Sequence, residues 1–225
     1  GEVAHRHAMP LALFEDHLAG FALDVEGRRY ETLDDLLRYC WHVAGVVGVM
    51  MSLVMGVREP ETLDRAGDLG LAFQLTNIAR DVVADAGEGR IYLPLRWLAE
   101  EGLRSPADLI DPANAAHVAR LRARLVEAAE PYYASARVGI DFLPRRSAWA
   151  IATAERVYRR IGLKLVERGE TAHGSRVSTS GAEKLAAIAG GGWTALRFRD
   201  YGAPPRPSAL WQRPPVEIGG GRTAE

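Results

Sequence analysis

The chain has 225 residues, of which 48% are hydrophobic and 25% charged, and its formal net charge is −1. That length can bury one sizeable core, while the near-neutral balance gives no bulk electrostatic support for nucleic-acid binding. The single Cys40 excludes an internal disulfide framework and a cysteine metal cage; it fits a reducing compartment as a small core residue.

The first residues, GEVAHRHAMP, carry neither an initiator Met nor a signal-peptide pattern and read as the interior of a longer sequence. Residues 9–24 predict one helix, ended by the turn VEGRRY. Thr32 is the expected N-cap of a long second helix, with Asp34 and Asp35 in its first turn, running to about Val57 before Pro60 blocks it. Its residues 39–57 carry no formal charge when His42 is neutral, and that length could span a bilayer. His42, Ser52 and the glycines 45, 48 and 56 favour the alternative, a central helix of a soluble bundle.

A third helix is expected over 62–85 with Thr62 as cap, then the breaker AGEGR and an extended IYLP. A short helix over 94–101 follows, and Ser105 with Pro106 opens another. Residues 113–139 repeat apolar positions at helical spacing (Val118, Leu121, Leu125, Ala128, Ala129), with a kink expected at Pro131. The last helices are placed over 146–168, ended by Gly169, and over 181–189. Residues 1–189 thus read as one all-α domain. Residues 190–225, rich in Gly and Pro, read as a poorly ordered tail in which Trp193 and Trp211 could dock locally. No strand alternation persists and no GxGxxG follows a strand, so no nicotinamide domain is encoded.

The most informative stretch is residues 69–94, LGLAFQLTNIARDVVADAGEGRIYLP. It sets Gln74, Asn77, Asp81 and Asp85 at offsets 0, 3, 7 and 11, within roughly 80° of one another on one helix face. Leu71, Leu75, Ile78 and Val82 form an apolar stripe beside them. Like charges at i,i+4 are unfavourable, and neither Asp has a Lys or Arg four residues away to offset this. Two carboxylates one turn apart suit a hard cation such as Mg²⁺, which completes its shell with water and phosphate oxygens. Asn77 and Gln74 could hold those waters or supply an oxygen ligand, and Arg80 and Arg90 could meet a phosphate. The bland alternative is a solvated acidic helix end.

A second constellation lies in YCWHVAGVVGVMMSLVMG. Gly45 and Gly48 sit mid-helix, where each costs about 1 kcal/mol relative to Ala. Ala44, Gly48 and Ser52 share one face, which permits either close helix packing or room for a ligand. Met50, Met51 and Met55 add adaptable apolar surface. Together the two helices suggest a pocket with an oxygen-rich rim and an apolar interior, suited to a diphosphate head on a long hydrocarbon body.

Residues 39–54, YCWHVAGVVGVMMSLV, and 69–94 resemble the two sequence hallmarks of the squalene/phytoene synthase family. Weaker similarity flanks them, so that about 9–188 is covered, and the flavour is nearest that family's bacterial phytoene synthases. The resemblance implies an all-α isoprenoid-synthase fold with a central cavity. It implies a Mg²⁺-dependent prenyltransferase (Mn²⁺ as a substitute) joining two prenyl diphosphates head to head through a cyclopropylcarbinyl diphosphate. For a phytoene synthase the substrate is geranylgeranyl diphosphate, the pathway is carotenoid biosynthesis, and NADPH is not needed. By the same resemblance Asp81 and Asp85 bind Mg²⁺ and through it a diphosphate, with Asn77 and Gln74 facing that cluster. Arg80 and Arg90 contact diphosphate or steady the acids, Tyr39 faces the reaction centre, and Gly48 leaves room for substrate.

Two departures stand out. Ala84 occupies a position that is usually acidic, and the loop AGEG is less basic than is usual in the family. The family also carries a first aspartate-rich motif on an earlier helix, and no DxxxD precedes Tyr39 here. The chain is therefore expected to be an N-terminally truncated fragment, with half a metal site and little turnover alone. Alternatives are a farnesyl diphosphate-using presqualene diphosphate, squalene or dehydrosqualene synthase, or a non-catalytic assembly protein. A cytoplasmic location, with peripheral contact at the inner membrane, is the expectation drawn from the apolar product.

Overall fold

The computed structural model describes residues 1–197 and 204–216, and the described residues are helical, with no strand. In chain order the helices are α1 (Glu2–Arg6), α2 (Leu11–Val25), α3 (Leu33–Cys40), α4 (Val46–Val54), α5 (Pro60–Gly87), α6 (Leu95–Glu100), α7 (Pro106–Ile110), α8 (Ala115–Ile140), α9 (Arg145–Arg168) and α10 (Gly181–Leu196). Several boundaries follow from local chemistry. Thr32 caps α3 reciprocally with Asp35, Ser105 caps α7 with Asp108, and Ser180 caps α10 with Glu183. In each box two backbone N–H groups that the first turn leaves free find a side-chain oxygen. α5 opens with Pro60 at its first position, where no N–H is needed, so Thr62, the expected cap, lies inside the helix and Glu59 takes the cap position.

α5 is the central element. α8 packs along one side of it, tied by Thr76 Oγ1 to the Tyr133 hydroxyl at 2.8 Å and by Ser135 to Asp68 at 2.5 Å. α4 lies against the other side at a distance only glycine allows. A Cβ at Gly48 would stand 2.3 Å from the Ala66 carbonyl oxygen, and one at Gly70 would stand 2.3 Å from that of Ala44. This close approach accounts for the mid-helix glycines. α9 closes over α5 and α8, and α10 packs on α9.

Besides the start of α5, the structure departs from the sequence reading at three places. The long second helix is interrupted by a π turn over Trp41–Gly45. The wider turn is anchored by α2: Trp41 Nε1 donates to the Asp16 carboxylate at 3.0 Å, and His17 Nδ1 lies 3.1 Å from the His42 carbonyl oxygen. Such turns redirect side chains without ending a helix. Leu33–Val54 is apolar and long enough to cross a membrane by length and composition, but half of that stretch is buried against the other helices. Second, α8 continues as one element through Pro131.

Third, the expected tail is partly ordered structure. Residues 190–196 extend α10, and residues 204–216 dock as an arm on α5. Arg206 grips Asp68 with two hydrogen bonds of 2.8 and 2.7 Å, Arg213 pairs with Asp64 at 2.5 Å, and the Pro204 carbonyl accepts from Arg65. Leu210 is buried, and Trp211 faces Trp41 with ring centroids 6.1 Å apart. The docking is invisible to periodicity because it rests on isolated arginines meeting acids far away in sequence. The rest of the expected tail, 198–203 and 217–225, lies outside the described residues.

Candidate functional site

A cavity of about 380 Å³ runs between α4, α5, α8 and α9. Its walls are largely apolar: Val43, Val47 and Met51 of α4 and its preceding turn face Ile151 and Tyr158 of α9. Ala44 and Gly48 contribute their small side, and Gln74 and Asn77 bring amides in from α5. Gly48 therefore both borders the cavity and permits the contact with α5. Asn77 Oδ1 is buried and has no hydrogen-bond partner, an arrangement that costs about 1–3 kcal/mol unless a ligand satisfies it.

One and two turns further along α5 come Asp81 and Asp85, which meet different fates. Although neither acid has a basic residue four positions away, Asp81 is paired. Arg80 forks onto it, with Nε donating to Oδ1 at 2.9 Å and Nη2 to Oδ2, and Arg176 reaches it at 3.2 Å and 3.4 Å. Arg80 is its neighbour in sequence and Arg176 lies 95 residues away, so a rule based on helical spacing misses both. Burial works to raise the Asp81 pKa, but hydrogen bonds and charge from Arg80 and Arg176 outweigh it and hold the carboxyl below its ordinary range. The Asp85 carboxylate makes no hydrogen bond or ion pair among the described residues, although the backbone carbonyl accepts from the Glu88 and Arg90 N–H groups. Burial, then the charges of Asp81 and Glu88, push its pKa up to about 6. Arg90 turns toward Glu88, at 3.3 Å, and is exposed.

Because folding raises this carboxyl's pKa, the ionised form opposes folding. The penalty is absent below the ordinary value near 3.8, grows as pH rises, and is complete above about 6. Asp85→Asn is therefore expected to stabilise the protein in EDTA at pH 7.5, on the order of 1 kcal/mol after discounting for solvent screening. The gain should vanish at pH 4. Thermal melts at the two pH values check this, and equal shifts at both would contradict it.

Tyr39 is buried, at the end of α3, and its hydroxyl donates to Asp24 Oδ1 at 2.9 Å. Tyr92, from the extended IYLP, donates to the same oxygen at 2.9 Å and stacks on Tyr39 with centroids 5.3 Å apart. Burial and then the field of Asp24 push the Tyr39 hydroxyl pKa up. Asp24 and Tyr92 were not picked out from the sequence as site residues. One signal was present: Asp24 stands in the last turn of α2, where a carboxylate opposes the helix dipole and needs a reason.

Among the described residues no group of three or more His, Cys, Asp or Glu side chains converges. The donor set that does face one way on α5 is two carboxylates and the unpartnered Asn77 amide oxygen, all hard oxygen donors suited to Mg²⁺. α5 also carries another DxxxD, Asp64 and Asp68, whose carboxylates are taken by Arg213 and Arg206. Identical spacing on one helix thus yields an ion-paired anchor at one end and a rim with a free carboxylate at the other.

A family model described as squalene/phytoene synthase matches residues 1–183. The chain is 59% identical to a 15-cis-phytoene synthase of Enterobacter agglomerans and 55% identical to one of Pantoea ananas. Each match takes in 95% of this chain, and 72% and 69% of those relatives. Among solved structures, a ligand-bound dehydrosqualene synthase matches at TM-score 0.68 and 28% identity, over 82% of this chain and 65% of that one. A squalene synthase from Alicyclobacillus acidocaldarius matches at 0.65 and 23%, over 76% and 64%, a likeness of fold. The chain therefore spans slightly less than two thirds of those two structures.

Proposed function

The chain belongs to the squalene/phytoene synthase family, and from that premise we propose that the protein joins two geranylgeranyl diphosphates head to head to make phytoene. Family members are prenyltransferase-type enzymes that use prenyl diphosphates and generally need a divalent metal. The observation that carries the reading is the apolar cavity ending on the polar face of α5. The stretch of α5 that lines it, from Thr62 to Asn77, is about 22 Å long at 1.5 Å per residue. Such a wall accommodates an extended isoprenoid chain with its diphosphate at the Asp81–Asp85 end.

The residues divide the work. Asp81, Asp85 and Asn77 would hold Mg²⁺, which when bound neutralises the departing diphosphate and draws charge onto it. Arg80, Arg176 and Arg90 supply cationic hydrogen-bond donors to diphosphate oxygens, and Gln74 orients water or substrate beside them. The apolar walls from Val43 to Ile151 exclude water, which would otherwise quench an allylic cation. Each tyrosine hydroxyl has one proton, and both Tyr39 and Tyr92 give theirs to Asp24. Neither lines the apolar cavity, so their remaining lone pairs would favour positive charge only on carbon that a bound substrate brings against them.

Full-length protein given Mg²⁺ and labelled C20 or C15 diphosphates should convert the C20 substrate to a C40 hydrocarbon. The solved dehydrosqualene synthase relative motivates the second reading, a C30 product from farnesyl diphosphate. A C30 product alone would favour that reading, and no hydrocarbon from either substrate would favour a non-catalytic role.

A further inference from the structure

Arg122 is the one side chain among the described residues whose guanidinium has buried nitrogens without a hydrogen-bond partner. Its Nε and Nη1 are both unsatisfied, and the residue is 3% exposed. It lies on α8, 11 residues before Tyr133, which is three turns and hence nearly the same face. Tyr133 pairs with Thr76, while Ser135, further along α8, pairs with the earlier Asp68. α8 thus runs antiparallel to α5, and stepping back three turns brings Arg122 to the level of Asp81–Asp85. Consistent with that register, Asp81 is the carboxylate whose field Arg122 feels, against the downward push of burial on its pKa.

Asp81 cannot satisfy this cation, because both of its oxygens are occupied by Arg80 and Arg176. Two guanidiniums thus grip one carboxylate, and that of Arg122, from α8, lies within its field. With Arg80, Arg122 and Arg176 set against Asp81 and Asp85, the rim carries an excess of positive charge, part of it desolvated. Burying an unpaired cation costs several kcal/mol, so a fold that keeps one there gives up stability unless an anion joins it.

We propose that Arg122 is an anion-binding residue of this rim, which with Arg80 and Arg176 captures a diphosphate before and independently of any metal. The proposal rests on the reading that the rim takes a prenyl diphosphate, and it adds a step in the order of binding and a residue that spacing rules pass over. It also predicts an opposition between stability and binding. In the free protein Arg122 is a burden; with diphosphate present it is a partner.

The test uses inorganic pyrophosphate as the probe, in EDTA, with titration calorimetry and thermal melts. Arg122→Met keeps the length and packing of the side chain while removing its charge. It is expected to raise the Tm of the free protein by about 2–5 °C and to weaken pyrophosphate binding at least about tenfold. Arg122→Lys keeps the charge without the planar fork, so it should fold as the parent does and lose affinity by a smaller factor. A lowered Tm with unchanged pyrophosphate affinity would make Arg122 a structural cation and overturn the proposal. So would a raised Tm with unchanged affinity, or pyrophosphate binding that appears only when Mg²⁺ is added. Absence of pyrophosphate binding with and without Mg²⁺ would instead remove the diphosphate reading of the rim itself.

Discussion

Asp81→Ala should lower Mg²⁺-dependent turnover of the full-length protein by about 10²–10³-fold or more, the range seen when a preorganised charge-stabilising group is lost. Asp81 sits where a metal ligand and an arginine cluster meet, so its removal does two opposite things. It takes away one of the two carboxylates proposed to hold Mg²⁺, and it releases Arg80 and Arg176 from their shared partner. Metal-dependent binding of pyrophosphate should therefore fall, while binding in EDTA should be retained or strengthened. Calorimetry with and without Mg²⁺, beside product analysis from geranylgeranyl diphosphate, separates the two effects. If turnover and Mg²⁺-dependent binding were both unchanged, Asp81 would not be a metal ligand. Asp85→Asn differs in kind, because that carboxyl has no arginine to release.

Gly70→Ala should destabilise the fold by about 3 kcal/mol, the upper part of the usual overpacking range. For a chain of this size that corresponds to a fall in Tm of roughly 6–12 °C. The added Cβ would lie 2.3 Å from the Ala44 carbonyl oxygen and 2.6 Å from both the Ala44 carbonyl carbon and Gly45 Cα. Every one of these is a backbone atom, so no side chain can swing aside and the π turn or α5 must move. The same displacement would shift Ala44 and Val43, which line the cavity. Gly87→Ala is the matched control on the same helix: nothing lies within 4 Å of its added Cβ, and the better helix propensity of Ala should leave it neutral or slightly stabilised. Urea denaturation of the two variants checks the contrast, and equal stability would mean that α4 and α5 can part without cost.

Much of the secondary structure was legible because helical periodicity and capping are local. Thr32 and Ser105 cap their helices as expected. The faces of α5 and α4 were legible for the same reason: Gln74, Asn77, Ala44 and Gly48 border one cavity. The family resemblance, carried by 39–54 and 69–94, anticipated an all-α fold that the structural neighbours share. Apart from the start of α5, where Pro60 displaces Thr62, reading failed where the partner lay far off in sequence or at an irregular offset. The π turn depends on Asp16 and His17 reaching from α2. The arm over 204–216 depends on Arg206 and Arg213 finding Asp68 and Asp64.

Composition and periodicity alone thus settled that this is a helical protein with one face of α5 set apart by short polar side chains. They also supplied the candidate ligands, since the order Gln74, Asn77, Asp81, Asp85 on one stripe follows from 3.6 residues per turn. Only the tertiary structure decided the electrostatics of those ligands. Asp81 and Asp85 look alike in sequence, yet one is gripped by Arg80 and Arg176 while the other is left to burial and like charge. Arg122 is an ordinary arginine on a periodic helix until the fold buries it, within the field of Asp81 and without a hydrogen-bond partner. The reason is physical: backbone geometry depends on neighbours a few residues away, whereas the energy of a charge depends on every group within several ångströms, whatever its position in the chain.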